Sequence, residues 1–206
     1  MPVQEQLYPV SLIVAGRHCV VVGGGTVAAR KVAGLVEAGA DVVVIAPRIC
    51  QEIRTMPVDR VERPYRLGDL NLAWLAIAAT DDPLTNRQVY ADGLEARVWV
   101  NSADDPEACA FILPAVTRRG PVTAAVSTAG HSPALAGWLR DQIAAQLGPE
   151  IATLAQLLAE ARNQVQVAGR STEGLDWRKA LDSDMLDLIR KGQMAQARER
   201  LQACLS

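Results

Sequence analysis

Glycines at positions 23 to 25 stand between an apolar run and a helical pattern, and they suit the binding of a phosphate-bearing ligand. The segment reads Val20-Val-Val-Gly-Gly-Gly-Thr-Val-Ala-Ala-Arg-Lys31. Gly23 permits a tight turn, Gly25 lets the backbone approach a pyrophosphate, and Ala28 takes the third, small position of G-x-G-x-x-G/A. Phosphates would face the N–H groups and positive dipole end of a helix that begins near Thr26. The spacing therefore predicts a dinucleotide site.

The elements around this turn are those that a dinucleotide-binding βαβ unit requires. The apolar strand Cys19–Val22 precedes the turn, and an amphipathic helix follows it and ends at Glu37-Ala38-Gly39. A second strand, Asp41–Ile45, comes directly afterwards. This context favours a cofactor site over the alternative, an ordinary glycine-rich loop.

The second strand ends without the acidic residue that usually holds the ribose hydroxyls. Ile45-Ala-Pro-Arg48 stands there instead. Arg48 would contact a 2′-phosphate, which indicates NADP, or it is a solvated loop charge. From these residues alone the choice between NAD and NADP stays open.

Composition excludes several classes of function. Half of the 206 residues are apolar, enough for a sizeable core, and the net charge of −2 gives no electrostatic case for nucleic acid. No apolar run approaches the ~20 residues that span a bilayer. Residues 1–11 lack the charged and apolar regions of a signal peptide. We expect a cytoplasmic protein that contacts neither membrane nor nucleic acid.

The cysteines are far apart and include no C-x-x-C pair, so we expect no metal site and no disulfide. Cys19 and Cys109 are interpreted as small hydrophobic residues within strands.

The first half of the chain alternates strands with helices, which predicts an α/β fold with a Rossmann-like, doubly wound parallel sheet. Beyond the first βαβ unit, the pattern predicts a buried strand over 72–80, a helix over 84–96, a strand over 97–101 and one more strand over 111–113. Ligands bind such sheets at the carboxyl ends of the strands. That edge would carry residues 23–26, 46–48, 80–82 and 101–105.

The second half is mainly helical. A short alternating stretch covers 121–128, and Ser132-Pro133 predicts a helix start that leads to Leu147. Helices follow from Glu150, with breaks near residues 169–174 and Gly192. Two apolar stripes are typical of packed helices; they contain Leu154, Leu157, Leu158 and Ala161, and Leu181, Met185, Leu188 and Ile189.

Asp104 is the candidate proton acceptor. It lies in Asn101-Ser-Ala-Asp-Asp-Pro106 at the ligand-binding edge, where a carboxylate can act as general base. The alternative is that Asp-Asp-Pro serves a turn, as the same tripeptide does at 81–83.

Two further groups of polar residues are candidates for ligand contact. His131, in the small-residue loop 127–133, suits proton transfer near neutral pH, or it is simply solvated. Basic side chains of the second half would pair with a polyanionic substrate, or they form a solvated face. They are Arg118, Arg119, Arg140, Arg162, Arg170, Arg178 and Lys179.

Five motifs, in the same order, closely resemble the precorrin-2 dehydrogenase / sirohydrochlorin ferrochelatase family of siroheme biosynthesis. They are the glycine turn, Trp74-Leu-Ala-Ile-Ala-Ala-Thr-Asp-Asp82, the 101–106 segment, Phe111-Ile-Leu-Pro114 and Ser127-Thr-Ala-Gly-His-Ser-Pro-Ala-Leu-Ala136. The resemblance covers essentially the whole chain.

The resemblance implies an NAD-binding Rossmann domain over 1–113, a dimerisation segment over 114–150 and a helical domain over 151–206, in an intertwined homodimer. It implies oxidation of precorrin-2 to sirohydrochlorin with NAD and, in bifunctional members, metal insertion with Fe²⁺ or Co²⁺ as co-substrate. Longer relatives carry a fused methyltransferase domain, which we do not expect because the chain ends at Ser206.

The resemblance also assigns site residues. Its essential aspartate falls on Asp104. Its cofactor contacts fall on Gly23, Gly24, Gly25, Thr26, Val27, Pro47 and Arg48, to which we add Thr80 from the same edge. We assign substrate contacts to Asn101, Thr128, His131 and Ser132. Thr128 stands where some relatives have a phosphorylated serine.

Two other classes of protein compete with this interpretation. A short-chain dehydrogenase would need a Tyr-x-x-x-Lys pair, which the chain lacks. A non-catalytic NAD-binding sensor or regulator would need no proton acceptor, and it remains the alternative.

Overall fold

The computed structural model describes residues 6–205, which divide into two compact units. The first unit contains residues up to Leu113 together with Ala129–Ser132, and the second contains Pro114–Thr128 and the residues from Pro133 onward. The domain boundaries predicted from the sequence stay predictions. Residues 1–5, on which the expected absence of a signal peptide partly depends, lie outside the described range. Among the described helices, none combines the length and apolar character needed to cross a membrane.

The first unit is built on a five-stranded parallel sheet with strand order β3-β2-β1-β4-β5. Its elements are β1 (His18–Val22), α1 (Thr26–Glu37), β2 (Asp41–Ile45), α2 (Gln51–Arg54), β3 (Asp59–Val61), β4 (Leu75–Ala78), α3 (Pro83–Ala96) and β5 (Trp99–Ser102), followed by a 3₁₀ helix (Pro106–Ala108). The predicted Rossmann-like fold class is confirmed. Because β1 is central, its carboxyl end opens into the middle of the ligand-binding edge.

Alternate residues of β1 bury on opposite faces of the sheet. Cys19 and Val21 belong to one cluster, here called the α1-side core, with Ala28 and Val32 of α1. The other cluster, here called the α3-side core, lies on the opposite face of the sheet and includes Val89 of α3. Its strand residues include Val20 and Val22 of β1, Ala76 and Ala78 of β4, and Val100 of β5. Burial on both faces explains the continuous apolar runs of these strands.

Several predicted elements of the first unit differ from those observed. β4 covers only 75–78 of the predicted 72–80, because Leu72 adopts a left-handed conformation (φ +65°) and is 96% exposed. β5 starts at Trp99 because Arg97 caps α3 in the left-handed region. The strand predicted over 111–113 is wrong, and Cys109 lies outside the named strands, in an isolated bridge with Asn101. α2 and β3 were not predicted.

The second unit combines a hairpin with helices. Its elements are the antiparallel strands β6 (Ala115–Arg119) and β7 (Val122–Val126), then α4 (Pro133–Gln146), α5 (Pro149–Val167), α6 (Trp177–Leu181), α7 (Met185–Arg190) and α8 (Met194–Leu205). The predicted starts and breaks at Pro133, Gly169 and Gly192 are confirmed. β6 and the break between α6 and α7 were not predicted.

The last helices share a hydrophobic core. Leu154 and Leu157 of α5 pack there with Met185 and Ile189 of α7, so these parts of the predicted apolar stripes are confirmed. Leu181 is 45% exposed, and its predicted place in the stripe is wrong. The reason is that α6 ends at Leu181 and the chain turns before α7 begins.

Candidate functional site

The turn after β1 needs glycine at two positions for steric reasons. Gly23 has φ +131°, and a Cβ there would collide with the carbonyl of Ala79, which follows β4. Gly24 has ordinary backbone angles, but a Cβ there would collide with the carbonyl of Arg48. Both glycines therefore allow neighbouring strand ends to approach the turn closely.

Backbone hydrogen bonds hold these strand ends together. The Gly23 N–H donates to the Ile45 carbonyl at 2.9 Å, and the Cys50 N–H donates to the Gly24 carbonyl at 2.8 Å. The loop after β2, with Pro47 and Arg48, is thus tied to the glycine turn. The hydrogen bonds of Gly23 and Gly24 therefore fix the position of this loop next to the turn.

Gly25 differs from its two neighbours because nothing lies within 4 Å of a Cβ placed there. It is the N-cap of α1, with φ −88°, and no side chain caps the helix. The first N–H groups of a helix have no intrahelical acceptor. The open space beside Gly25 and the absence of an acidic residue from the first turn together favour an anion at this helix end.

A cleft of about 510 Å³ lies over the glycine turn, a size within the range of ligand pockets. Its lining includes the predicted contacts Gly23, Gly24, Gly25, Pro47, Arg48 and Thr80. Thr26 and Val27 are in the first turn of α1 but do not line the cleft. It is also lined by residues that sequence reasoning missed, among them Cys50, Pro64, Tyr65 and Thr85.

Asn86 of α3, which is 5% exposed, fixes the wall around Thr80. Its Oδ1 accepts from the Thr80 N–H at 3.1 Å and from the Thr80 hydroxyl at 2.8 Å, and its Nδ2 donates to the Thr80 carbonyl at 3.0 Å. Sequence reasoning missed this residue. The available signal was a polar side chain four residues after Asp82, the N-cap of α3.

Asp104 lies two residues beyond the end of β5, at the carboxyl edge of the sheet. It is exposed, and among residues 6–205 its carboxylate accepts no hydrogen bond. Burial and Arg30 lower the pKa of the half-buried Lys31 ammonium, while the negative charge of Asp104 opposes that shift. A cationic side chain of α1 is therefore the electrostatic neighbour of Asp104.

Asp105 has a different role from Asp104. Its carboxylate accepts from the Glu107 N–H at 3.2 Å as the cap of the 3₁₀ helix, and it pairs with Arg87 at 3.2 Å. In this Asp-Asp-Pro segment the second aspartate, and not Asp104, therefore caps the 3₁₀ helix.

The predicted substrate contacts fall in different places. Asn101 is buried, and its Nδ2 donates to the Phe111 carbonyl at 2.8 Å, which ties down the loop after β5. His131 is exposed and Ser132 is half-buried, both in the segment that belongs to the first unit, whereas Thr128 belongs to the second unit. Substrate contact by these four residues stays a prediction.

No group of three or more His, Cys, Asp or Glu side chains is arranged to hold a metal ion within residues 6–205. The cysteines in this range are free. Burial and the nearby Asp41 raise the pKa of the Cys19 thiol to about 11.

Comparison with known proteins gives two family matches. The family described as "Putative NAD(P)-binding" matches residues 10–115, and the family described as "Sirohaem biosynthesis protein central" matches residues 119–146.

Individual relatives agree with these matches. The chain is 37% identical over 206 residues to a siroheme synthase of Nitrosococcus oceani, covering 97% of this chain and 44% of that protein. It is 36% identical over 197 residues to a siroheme synthase of Azotobacter vinelandii, covering 93% and 42%. The chain thus spans less than half the length of these relatives.

A solved structure named SirC, precorrin-2 dehydrogenase, is also similar. It superposes with a TM-score of 0.68 at 26% identity, over 96% of this chain and 98% of that chain. The similarity therefore extends through both compact units.

Proposed function

The chain belongs to the NAD(P)-binding family of the precorrin-2 dehydrogenases and siroheme synthases, and from this premise we propose that it oxidises precorrin-2 to sirohydrochlorin with NAD. One observation carries the proposal: the uncapped N-terminus of α1, the cleft over Gly23–Gly25 and the exposed carboxylate of Asp104 occur at the same edge of one parallel sheet. The reaction would take place in the cytoplasm, as the sequence predicts.

The residues of the cleft fit a dinucleotide. The open space at Gly25 admits a pyrophosphate, which the first N–H groups of α1 would bind. Pro47, Arg48 and Thr80 would line the two arms of the cofactor. When bound, the nicotinamide accepts the hydride that leaves a reduced carbon of the macrocycle.

Asp104 is proposed as the base that takes the proton released in the same oxidation. Its carboxylate is exposed and accepts no hydrogen bond within the described residues, so an oxygen is available to a substrate proton. The basic side chains of the second unit are candidates to pair with the eight carboxylates of the macrocycle.

The choice of NAD over NADP rests on the family resemblance, and Arg48 supports the opposite choice. Its side chain is exposed and, among residues 6–205, forms no ion pair at the end of β2, where a 2′-phosphate would lie. We expect kcat/KM to be higher with NAD. A higher value with NADP would assign Arg48 to the 2′-phosphate.

An Asp104→Asn variant tests the role of the carboxylate. We expect kcat for precorrin-2 oxidation, followed by NADH absorbance, to fall at least about 10²-fold, because a general base contributes roughly 10²–10⁴. NADH affinity should be unchanged. Glu107→Gln, which removes a charge from an exposed position of the same loop, is the matched control.

Two results would overturn this proposal in different ways. Full turnover by Asp104→Asn would reject the base assignment alone. A wild-type chain that binds NADH but never oxidises precorrin-2 would indicate the alternative, a non-catalytic sensor. Metal insertion is tested in the same cuvette, because Fe²⁺ or Co²⁺ added after oxidation should change the visible spectrum faster than the uncatalysed rate.

A homodimer is proposed from the second unit. The hairpin β6–β7 has no fully buried residue, and α4 buries only Ala136 among its 14 residues. The hairpin packs against α4, and together these elements leave a surface that belongs to no buried core. A second copy of the chain would supply the missing apolar contact.

A further inference from the structure

Pro64 and Tyr65 form a wall of the cofactor cleft that has no role in the proposed chemistry. They follow β3, and they line the same cleft as the glycine turn and Thr85. Tyr65 is half-buried and packs against the α3-side core. An aromatic side chain in a ligand cleft offers a flat apolar surface.

The strand order decides which half of a dinucleotide would reach this wall. From the turn after the central strand β1, the strand ends of β4 and β5 lie on one side and those of β2 and β3 on the other. Asp104 follows β5, so the reacting nicotinamide belongs on the β4–β5 side. With the pyrophosphate at α1, the adenosine must extend toward β2 and β3, about 5 to 10 Å away at ordinary strand spacing.

The phenol of Tyr65 is held by a buried carboxylate. Its hydroxyl donates to Asp92 Oδ2 at 2.8 Å, and Gln88 Nε2 donates to Asp92 Oδ1 at 2.6 Å. Asp92 lies on α3 and is 7% exposed. Burial and this carboxylate raise the pKa of the phenol above its ordinary value, so the hydroxyl remains a donor at neutral pH.

A second contact holds the backbone around the aromatic ring. Arg63, directly before Pro64, makes a bidentate ion pair with Asp69, with both nitrogen–oxygen distances 2.7 Å. Asp69 also accepts from the Arg66 N–H at 2.8 Å. The ring is therefore fixed from the side chain and from the loop before any ligand binds, which lowers the entropy cost of binding.

We propose that Tyr65 contacts the adenine ring of the cofactor and that Asp92 is the positioning residue that orients Tyr65 for this contact. The inference rests on the proposed NAD-dependent function. Stacking of a base on an aromatic side chain strengthens binding by roughly 5- to 150-fold. It would set cofactor affinity without entering the chemical step.

Cofactor fragments test the contact with adenine. In Tyr65→Ala we expect the Kd values of NADH and ADP-ribose to rise about tenfold, and the Kd of nicotinamide mononucleotide to stay unchanged. KM for NAD should rise in parallel, with kcat unchanged at saturating NAD. Tyr65→Phe keeps the ring but loses the hydrogen bond to Asp92, so its Kd values should match those of Asp92→Ala and lie between those of wild type and Tyr65→Ala.

Tyr90→Ala is the matched control, because Tyr90 also packs against the α3-side core but does not line the cleft. We expect Tyr90→Ala to lower the melting temperature without changing the Kd of ADP-ribose. Equal loss of ADP-ribose affinity in both variants would show a general loss of packing and would overturn the proposal.

The role of Asp92 is tested by a double-mutant cycle. Asp92→Ala should raise KM for NAD and leave kcat unchanged, and Asp92→Asn should restore most of the affinity because its amide oxygen still accepts the phenol hydrogen. The combined Tyr65→Phe and Asp92→Ala variant should be no worse than Asp92→Ala alone. Additive losses would contradict the positioning role.

Failure of the inference and failure of the proposed function are distinguishable. A wild-type chain that binds no NADH would reject the function. A wild-type chain that binds NADH, with Tyr65→Ala binding ADP-ribose equally well, would reject only the adenine contact.

Discussion

At the residue scale, the chain contains two identical Asp-Asp-Pro tripeptides, at 81–83 and 104–106, whose first and second aspartates have different roles in the turn. In both, the second aspartate caps a helix: Asp82 accepts from Leu84 and Thr85 N–H groups, and Asp105 accepts from Glu107. The first aspartate is not used in this way. Turn chemistry therefore accounts for Asp105, and Asp104 remains available for the proposed proton transfer.

The three consecutive glycines provide a prediction at the same scale. Gly25→Ala should fold normally, because its Cβ meets nothing within 4 Å, yet its methyl group would occupy the space for the pyrophosphate. Alanine is a poorer N-cap than glycine by roughly 0.5–1 kcal/mol, so we expect the melting temperature to fall by no more than about 4 °C and the Kd of NADH to rise at least about tenfold.

Gly24→Ala is the contrasting variant. Its Cβ would collide with the Arg48 carbonyl, so we expect a loss of about 1–3 kcal/mol of unfolding free energy, measured by urea denaturation. Wild-type NADH affinity in Gly25→Ala would show that the pyrophosphate does not bind at this turn.

At the element scale, short elements and loops decide the shape of the cleft. β3 has only three residues, and the loop after it carries Tyr65 into the wall. That loop is held by the ion pair between Arg63 and Asp69, whose side chains are 31% and 11% exposed. The carboxylate side of this ion pair is largely shielded from water, so the pair is screened less than a fully exposed one.

This ion pair predicts a dependence of stability on pH. The hydrogen bond from Arg63 lowers the pKa of Asp69, so its stabilisation is fully present above the unfolded carboxyl pKa of about 4 and is lost as the pH falls through the lower folded value. Asp69→Asn should therefore lower the melting temperature at pH 7. The difference in melting temperature from wild type should shrink below about pH 4.

Asp59→Asn is the control for this measurement, because Asp59 is exposed on β3 and forms no ion pair within the described residues. Its melting temperature should follow that of wild type across the same pH range. A difference between wild type and Asp69→Asn that is constant from pH 7 to pH 3 would contradict the prediction.

At the scale of the whole molecule, the three buried cores of the described residues include no residue of the hairpin or of α4. The first unit has cores on both faces of its sheet, and the last helices share a third core. Between them in sequence, the hairpin and α4 leave apolar side chains exposed, including Trp138 at 58%. This surface supports the proposed homodimer, since exposed apolar patches mark interaction sites.

We predict that the chain is a dimer at micromolar concentration by light scattering and that Trp138→Glu makes it monomeric. The physical reason is that a carboxylate in an apolar interface loses its hydration. Leu94→Glu, at a matched 59% exposure on α3, should remain dimeric. A wild-type monomer, or a dimeric Trp138→Glu, would reject this interface.

The sequence by itself determined the βαβ unit, the sheet class and the glycine turn, because these follow from local periodicity and from backbone angles that few residues adopt. The bounds of β2 agree with the predicted ones, and α1 begins at Thr26 and ends at Glu37, within two residues of the predicted end at 37–39. Asp104 was located by its distance along the chain from a predicted strand end, which needs no long-range contact.

Tertiary structure alone decided the contacts of Asn86, Tyr65 and Asp92. Asn86 contacts a residue six positions away. Tyr65 contacts Asp92 across 27 positions, from the loop after a strand too short and polar to be predicted. The exposure of Leu72 and Leu181 likewise depends on where the chain turns. Periodicity records which side chains can be buried, but only packing between distant segments decides which of them meet.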